Sequence, residues 1–169
     1  GMATVDELVV PVGRPVEMTL TTDTVMQSLL IAPLTGQIYA MPGMTTKLNF
    51  SATRPGEAEG ENTQFNGDGF GRQKFTVRAL EPADYESWIA RGDSGLTLDE
   101  NTYATLRRRT VLADARGDLG LEKSAEPIVM TLGQPDIFQQ IVAKYHGGGE
   151  AERWGGIGLP QTGTTGAGE

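Results

Sequence analysis

The sequence has 169 residues, 38 % of them hydrophobic, with a formal net charge of −8 and no cysteine. Its length fits one domain with appendages. The acidic balance argues against a protein that binds nucleic acid or anionic lipid, because both need basic patches. The absence of cysteine excludes disulfides, thiol chemistry and thiolate metal sites. No run of about eighteen apolar residues occurs, so no segment is predicted to span a membrane.

The first half of the chain is patterned as short strands. Apolar and polar residues alternate at Val16–Leu20 and Lys74–Leu80, which is the two-residue period of a half-buried strand. Short strands with Gly and Pro between them predict an antiparallel β-sandwich or barrel. Further strands are predicted at residues 5–10, 25–31, 37–41 and 44–53.

A turn-rich run of polar residues and glycines occupies residues 54–71, between two of the predicted strands. Asn, Asp and Gly at this density indicate irregular backbone, and long loops in compact domains are often functional. The layout is that of a metal-binding loop, with side chains at fixed offsets around one point. Yet the run contains no Cys, His or Met. We therefore interpret it as a copper-type loop without copper ligands.

The pattern becomes helical after this first half. Residues 82–92 begin with proline and end with glycine, which suits a helix. Thr97 and Glu100 have the spacing of a capping box, so a second helix is predicted to begin there and to run through Leu106.

The remaining segment is more mixed. Residues 113–125 are poorly patterned, and Ile128–Leu132 is a possible edge strand. Pro135 opens the clearest helix, whose apolar stripe consists of Ile137, Phe138, Ile141, Val142 and Tyr145. We therefore predict a β domain at residues 3–81, a helical extension packed on it at 82–146, and a disordered Gly/Thr-rich tail at 147–169.

Three segments resemble the cupredoxin domain of subunit II of haem-copper oxidases: residues 24–33, 40–43 and 54–56. In cytochrome c oxidases of this family, the domain carries a dinuclear copper centre held by Cys, His, Glu and Met in a Gly-x-Cys-x-Glu-x-Cys-Gly-x-x-His-x-x-Met pattern, with a further His upstream. Laid on this sequence, the family's ligand positions fall on Gln27, Asn62, Gln64, Asn66, Phe70 and Gln73.

This departure from the family pattern excludes electron transfer from cytochrome c through copper. A dinuclear copper site needs thiolates and imidazoles, which neutral amides do not replace. The sequence instead resembles subunit II of the cytochrome o-type ubiquinol oxidases, which lack the centre. Residues 85–89 and 135–141 are similar to the C-terminal extension of that family, and the resemblance covers residues 3–146.

The resemblance implies a cupredoxin-like Greek-key sandwich with a C-terminal helical extension. It also implies a periplasmic fragment of a subunit anchored in the bacterial inner membrane by N-terminal helices absent here. Ubiquinol oxidation, oxygen reduction and proton translocation would belong to haems and copper in the catalytic subunit. This chain would hold no catalytic residue, cofactor or metal, and would help to hold the assembly together.

Two alternatives stay open at this level. One is a free-standing cupredoxin-like adhesion, binding or chaperone module, and the other is subunit II of a menaquinol-type oxidase. An independent enzyme is disfavoured, because no nucleophile–base pair or metal set is found and His146 is the only histidine.

The amide residues have two interpretations. The first is that they form an active cluster. The second, which is favoured, is that they hydrogen-bond the backbone within the loop. The residues concerned are Gln27, Asn62, Gln64 and Asn66. We expect Phe70 to fill the space left by the copper ligands, because a buried void costs stability.

The acidic residues of the loop also have two interpretations. The first is that they hold a hard cation such as calcium. The second is that they are solvated, which is usual for dispersed acids. The residues concerned are Glu57, Glu59, Glu61 and Asp68. His146 is expected to be solvated at a helix end.

Two further groups of residues also have two interpretations each. Tyr85 and Trp88 face a quinone or pack on the core, and packing is the commoner role of a helical stripe. The basic residues 107–109 contact lipid headgroups or a partner subunit, or simply face solvent.

Overall fold

The structure is a computed structural model that describes residues 1–92 and 95–146. The predicted tail and its Trp154 lie outside the described residues. In chain order the strands are β1 (Met2–Val5), β2 (Glu7–Pro11), β3 (Val16–Leu20), β4 (Gln27–Leu30), β5 (Ile38–Ala40), β6 (Thr46–Phe50), β7 (Gly56–Asn62), β8 (Lys74–Leu80), β9 (Thr97–Leu98) and β10 (Ile128–Leu132).

Four α-helices are described, all C-terminal to β8. They are α1 (Pro82–Ala90), α2 (Glu100–Leu106), α3 (Leu112–Asp118) and α4 (Ile137–Ala143). A short 3-10 turn, Phe70–Arg72, precedes β8. Among the described residues, no helix is long and apolar enough to cross a bilayer.

A sandwich forms the N-terminal part. A five-stranded sheet has the order β2-β8-β7-β4-β5, with β2 parallel to β8 and the other neighbours antiparallel. A two-stranded antiparallel sheet, β3-β6, packs against it. The core between the sheets is centred on Val10, Phe50, Ala52 and Ala79. The predicted fold class, a mainly β sandwich with helices C-terminal to it, is confirmed.

A third sheet joins the two ends of the described chain. β10 lies between β1, which is antiparallel to it, and β9, which is parallel. Ile128 and Met130 of β10 are buried. The prediction that Ile128–Leu132 is an edge strand is therefore wrong, because its partners are distant in sequence and give no local signal.

The strand predicted at residues 5–10 is two strands in the structure. Asp6 separates β1 from β2 and has φ 60°, a left-handed conformation that Asp tolerates better than most residues. The backbone carbonyl of Asp6 accepts a hydrogen bond from the N–H of Thr76 at 3.0 Å. This turn directs the chain from the third sheet into the sandwich.

Part of the predicted loop at 54–71 is a strand. β7 pairs with β8 although it is rich in Glu and Gly, which disfavour strands. Gly60 is required opposite Phe75, because a Cβ there would lie 2.1 Å from the Phe75 ring. Tertiary packing thus overrides local propensity, and the irregular loop begins only after Asn62.

The second helix starts later than predicted. Thr97 belongs to β9, and Asp99 caps α2 by accepting a 2.8 Å hydrogen bond from the N–H of Thr102. Helix α3 begins at Leu112 and covers the first part of residues 113–125, which are poorly patterned in the sequence. The division at residues 81 and 82 stays a prediction, since β9 and β10 accompany the helices of the C-terminal part.

Asp23 joins the sandwich to the helices. It lies just before β4, and its carboxylate pairs with Arg107 after α2 at 2.5 Å and with Lys144 after α4. Its carbonyl accepts a hydrogen bond from the hydroxyl of Tyr145, whose ring packs against Gly43. The side chain of Asp23 is only 19 % exposed, so these contacts are partly shielded from water.

We expect Asp23→Asn to lower the free energy of unfolding by about 1–2 kcal/mol, because two cations lose their partner in a half-shielded site. The exposed helical substitution Asp84→Asn is the control and should change stability by less than about 0.5 kcal/mol. Urea unfolding measures both, and equal small effects would show that the Asp23 contacts add nothing to stability.

Replacing Asp99 with alanine should lower the melting temperature at neutral pH, because the N–H of Thr102 loses its acceptor. The hydrogen bonds of Thr102 hold the pKa of the Asp99 carboxyl below its usual value. The stabilisation is therefore present above the unfolded pKa and lost as pH falls through the folded pKa. Thermal unfolding from pH 7 to about pH 3 should show the difference from wild type narrowing. Glu122→Ala serves as the control, and a difference that is constant with pH would contradict this role for the carboxylate.

Candidate functional site

Asn62 is the centre of the group of amides predicted from the sequence. It ends β7 and is 8 % exposed. Its Oδ1 accepts from the backbone N–H groups of Ser28 and Gln64, both at 3.0 Å. Its Nδ2 donates to the carbonyl of Gln64 at 2.9 Å and to Oε1 of Gln73 at 2.6 Å. The side chain thus has all its hydrogen-bonding capacity used within the protein.

Three other predicted positions join Asn62. Asn66 donates from Nδ2 to Oε1 of Gln73 at 3.1 Å, and Gln64 donates from Nε2 to the carbonyl of Phe65 at 3.4 Å. The backbone adds a bond from the N–H of Asn62 to the carbonyl of Gln73 at 3.0 Å. These amides bond the backbone and one another, which favours the structural interpretation made from the sequence.

Gln27 and Phe70 stand apart from this network. Within the described residues the side chain of Gln27, at the start of β4, has no hydrogen bond. Phe70 packs edge-on against the largely exposed Phe65, with ring centroids 5.2 Å apart. Gln27 lines a cleft, described below, that Phe70 does not line. The structure therefore does not support the prediction that Phe70 fills the space left by the copper ligands.

The cleft has a volume of about 980 Å³ and opens between the two sheets of the sandwich. Strands β3, β4, β7 and β8 form its walls, and the segment after α2 borders it. Three of the six positions that correspond to copper ligands reach it, namely Gln27, Asn62 and Gln73. The residues that sequence reasoning missed here include Thr21, Thr22 and Ser28, for which no motif gave a signal.

The acids of the former loop do not form a metal site. Glu59 pairs with Lys74 at 2.6 Å, a contact that raises the pKa of Lys74, and Glu57 lies 3.7 Å from Arg78. Asp68 is exposed. Across the described ranges, no group of three or more His, Cys, Asp or Glu side chains is placed to hold a metal ion. The solvated interpretation of these acids is favoured.

The basic run 107–109 is exposed but largely anchored. Arg107 pairs with Asp23, and Arg109 donates from Nη2 to the carbonyl of Asp68 at 2.8 Å. Arg109 therefore ties the segment after α2 to the loop that follows β7. Tyr85 and Trp88 of α1 stack with ring centroids 6.2 Å apart and are both half-buried, as packing residues would be.

The relatives of the chain are subunits of quinol oxidases. No family model matches it. Cytochrome bo(3) ubiquinol oxidase subunit 2 of Pseudomonas putida is 37 % identical over 149 residues, which are 87 % of this chain and 43 % of that protein. Ubiquinol oxidase subunit 2 of Acetobacter aceti is 35 % identical over 149 residues, covering 88 % and 44 %. The chain is a homologue of ubiquinol oxidase subunit 2. The resemblance predicted from the sequence is confirmed.

This homologue of ubiquinol oxidase subunit 2 spans less than half the length of the curated relatives it matches. Among solved structures it is similar to the periplasmic domain of subunit II of cytochrome oxidase of Bradyrhizobium japonicum. That likeness has a TM-score of 0.49 and 23 % identity, over 52 % of this chain and 63 % of the other.

The donor set does not fit the dinuclear copper centre of the wider family. The corresponding positions hold amides and one phenylalanine, and none of them supplies a thiolate or an imidazole. The amides of Asn62 and Gln73 are already joined to each other, so a metal would have to break their bond. We therefore derive no redox step through these residues.

We expect Asn62→Ala to lower the free energy of unfolding by about 2–3 kcal/mol, because the buried N–H of Ser28 and the partly buried N–H of Gln64 lose their acceptor. Asn66→Ala is the control, since it removes only an exposed bond, and should cost less than about 0.5 kcal/mol. Urea unfolding of both variants makes the comparison. A loss for Asn62→Ala no greater than that of the control would contradict the anchoring role.

Proposed function

We propose that this chain is the periplasmic domain of subunit II of a ubiquinol oxidase, with a structural and assembly role and no metal centre of its own. Two relatives named as subunit 2 of ubiquinol oxidases, matched over most of this chain, support the assignment. The observation that carries the non-redox role is the saturated hydrogen bonding of Asn62 at a former ligand position.

In this proposal the complex is a terminal respiratory oxidase of the bacterial inner membrane. It oxidises ubiquinol, reduces oxygen to water and translocates protons. Haems and copper reside in the catalytic subunit, which is the main partner of this domain. Membrane attachment is through N-terminal helices outside this sequence, and the domain itself lies on the periplasmic side.

The physical basis of the structural role is a sandwich that is connected to its helices by hydrogen bonds and ion pairs. Asn62 fixes the loop after β7, and Asp23 fixes the ends of α2 and α4. A surface that docks on a partner needs elements that keep their relative positions without the partner. These two groups of contacts supply that rigidity where a copper domain would use its metal.

Two measurements test the proposal. The full-length protein, expressed with an affinity tag and extracted from membranes with detergent, should purify with haem-containing subunits and with ubiquinol oxidase activity. A tagged periplasmic protein of unrelated fold is the control. Purification of the tagged protein without haem would overturn the subunit assignment.

The second measurement concerns the metal. Titration of the purified chain with copper salts should give no purple thiolate absorption and no tight binding in a fixed molar ratio, because the soft ligands are missing. Tight stoichiometric binding that Asn62→Ala abolishes would overturn the metal-free role while leaving the subunit assignment intact.

A further inference from the structure

We infer that the cleft between the sheets binds a small, uncharged amphipathic molecule, with an apolar body and a hydroxyl or carbonyl group at one end. This goes beyond the proposed function, which assigns the chain no ligand. The volume of about 980 Å³ is at the upper end of the range for small-molecule sites. The inference rests on the apolar side chains of the cleft, on polar side chains that have no hydrogen-bond partner, and on the charges at its rim.

Both sides of the cleft contribute apolar side chains among its polar ones. Met18 and Leu20 face it from β3, and Leu29 and Phe75 face it from the larger sheet. The sheet register places Leu29 opposite Asn62 and Phe75 opposite Gly60 of the same strand, so these side chains share one face. All four apolar side chains are half-buried, which leaves surface that an apolar ligand can cover.

Three polar side chains that line the cleft have no hydrogen-bond partner among the described residues. They are Thr22, Gln27 and the fully buried Ser28. Thr22 is 9 % exposed, and its Oγ1 has no hydrogen-bond partner among the described residues. The side-chain amide of Gln27 is half-buried and likewise has no bond there. Thr22 bridges to Pro42 and Gln27 pairs with Ala40, so both border the same short segment. Because buried polar groups are normally paired, these two are suited to a polar group of a ligand.

The charges at the rim of the cleft favour neither an anionic nor a cationic ligand. Its ionisable groups are of both signs, with Lys74 paired to Glu59 and Asp114 paired to Lys123. A mixed rim gives no strong field to favour an anion or a cation. The ligand class that fits is therefore neutral. The charged side chains at the rim are Asp6, Glu61, Asp68, Arg72, Lys74, Arg109 and Asp114.

Three related probes test the inference by NMR titration of the isotope-labelled 169-residue chain. 2-Naphthol has an apolar body with one hydroxyl, naphthalene lacks the hydroxyl, and 2-naphthoate carries a negative charge. We expect 2-naphthol to bind saturably, to shift the resonances of the cleft residues, and to bind more tightly than either of the other probes.

The double variant Thr22→Val and Gln27→Leu keeps the size of both side chains and removes their polar groups. It should weaken 2-naphthol binding about tenfold and leave naphthalene binding unchanged, because only the hydrogen bonds are lost. The matched control is Thr19→Val with Gln37→Leu, which changes two exposed residues outside the cleft and should have no effect. Dispersed amide spectra of both double variants establish that they are folded.

Three results would overturn the inference. The first is no saturable binding of 2-naphthol at the cleft, which would mean that water alone fills it. The second is tighter binding of 2-naphthoate, which would indicate an anion site at Arg72 and Arg109 instead. The third is that the double variant and its control lose the same 2-naphthol affinity, or that the double variant loses as much affinity for naphthalene as for 2-naphthol. Either result would show that Thr22 and Gln27 do not hydrogen-bond the probe.

Discussion

The hydrogen bonds of Asn62 are the constraint on which the rest of the sandwich depends. This one side chain joins β4, the end of β7 and the residue before β8. A copper centre would join the same three segments through metal bonds in the wider family. Here the segments are held by amides, which provide fixed directions and need no cofactor. The consequence is that four of the positions that correspond to copper ligands hold the loop after β7 in place through hydrogen bonds. They are Asn62, Gln64, Asn66 and Gln73.

The helices are likewise attached to the sandwich through a few residues, of which Asp23 is the main one. Asp23 is near the start of β4 and so lies next to the segment that Asn62 fixes. From there it reaches both α2 and α4 through charged partners. Arg109 adds a contact from the same side to the loop after β7. The sandwich and the helices are thus connected around one end of the larger sheet, which is also where the cleft opens.

Local patterns in the sequence predicted part of this arrangement well. Strand β8 has the predicted bounds because its alternation is regular, and α1 begins and ends near the proline and glycine that indicated it. The amide positions were found through the family resemblance, and their bonding to the backbone follows from the chemistry of Asn and Gln.

Features that depend on distant partners were not predictable in this way. Strand β7 exists because β8 pairs with it and Phe75 covers Gly60, although its composition favours a loop. The central position of β10 and the pairing of Asp23 with Lys144 need the folded chain to be seen. The cleft was missed for another reason. Thr22 and Ser28 line it with hydroxyl groups that have no partner among the described residues, and no sequence motif indicates such residues.

The pairing of β1 with β10 has a consequence for the order of folding. Val5 pairs with Ile128, so the first strand cannot find its neighbour until nearly all of the described chain has left the ribosome. Contacts between such distant segments are slow to form. The sandwich, whose strands all lie within the first 80 residues, can assemble before β1 pairs with β10. In this order of folding, the turn at Asp6 connects β2, which is already paired, to β1, which pairs with β10 last and completes the third sheet.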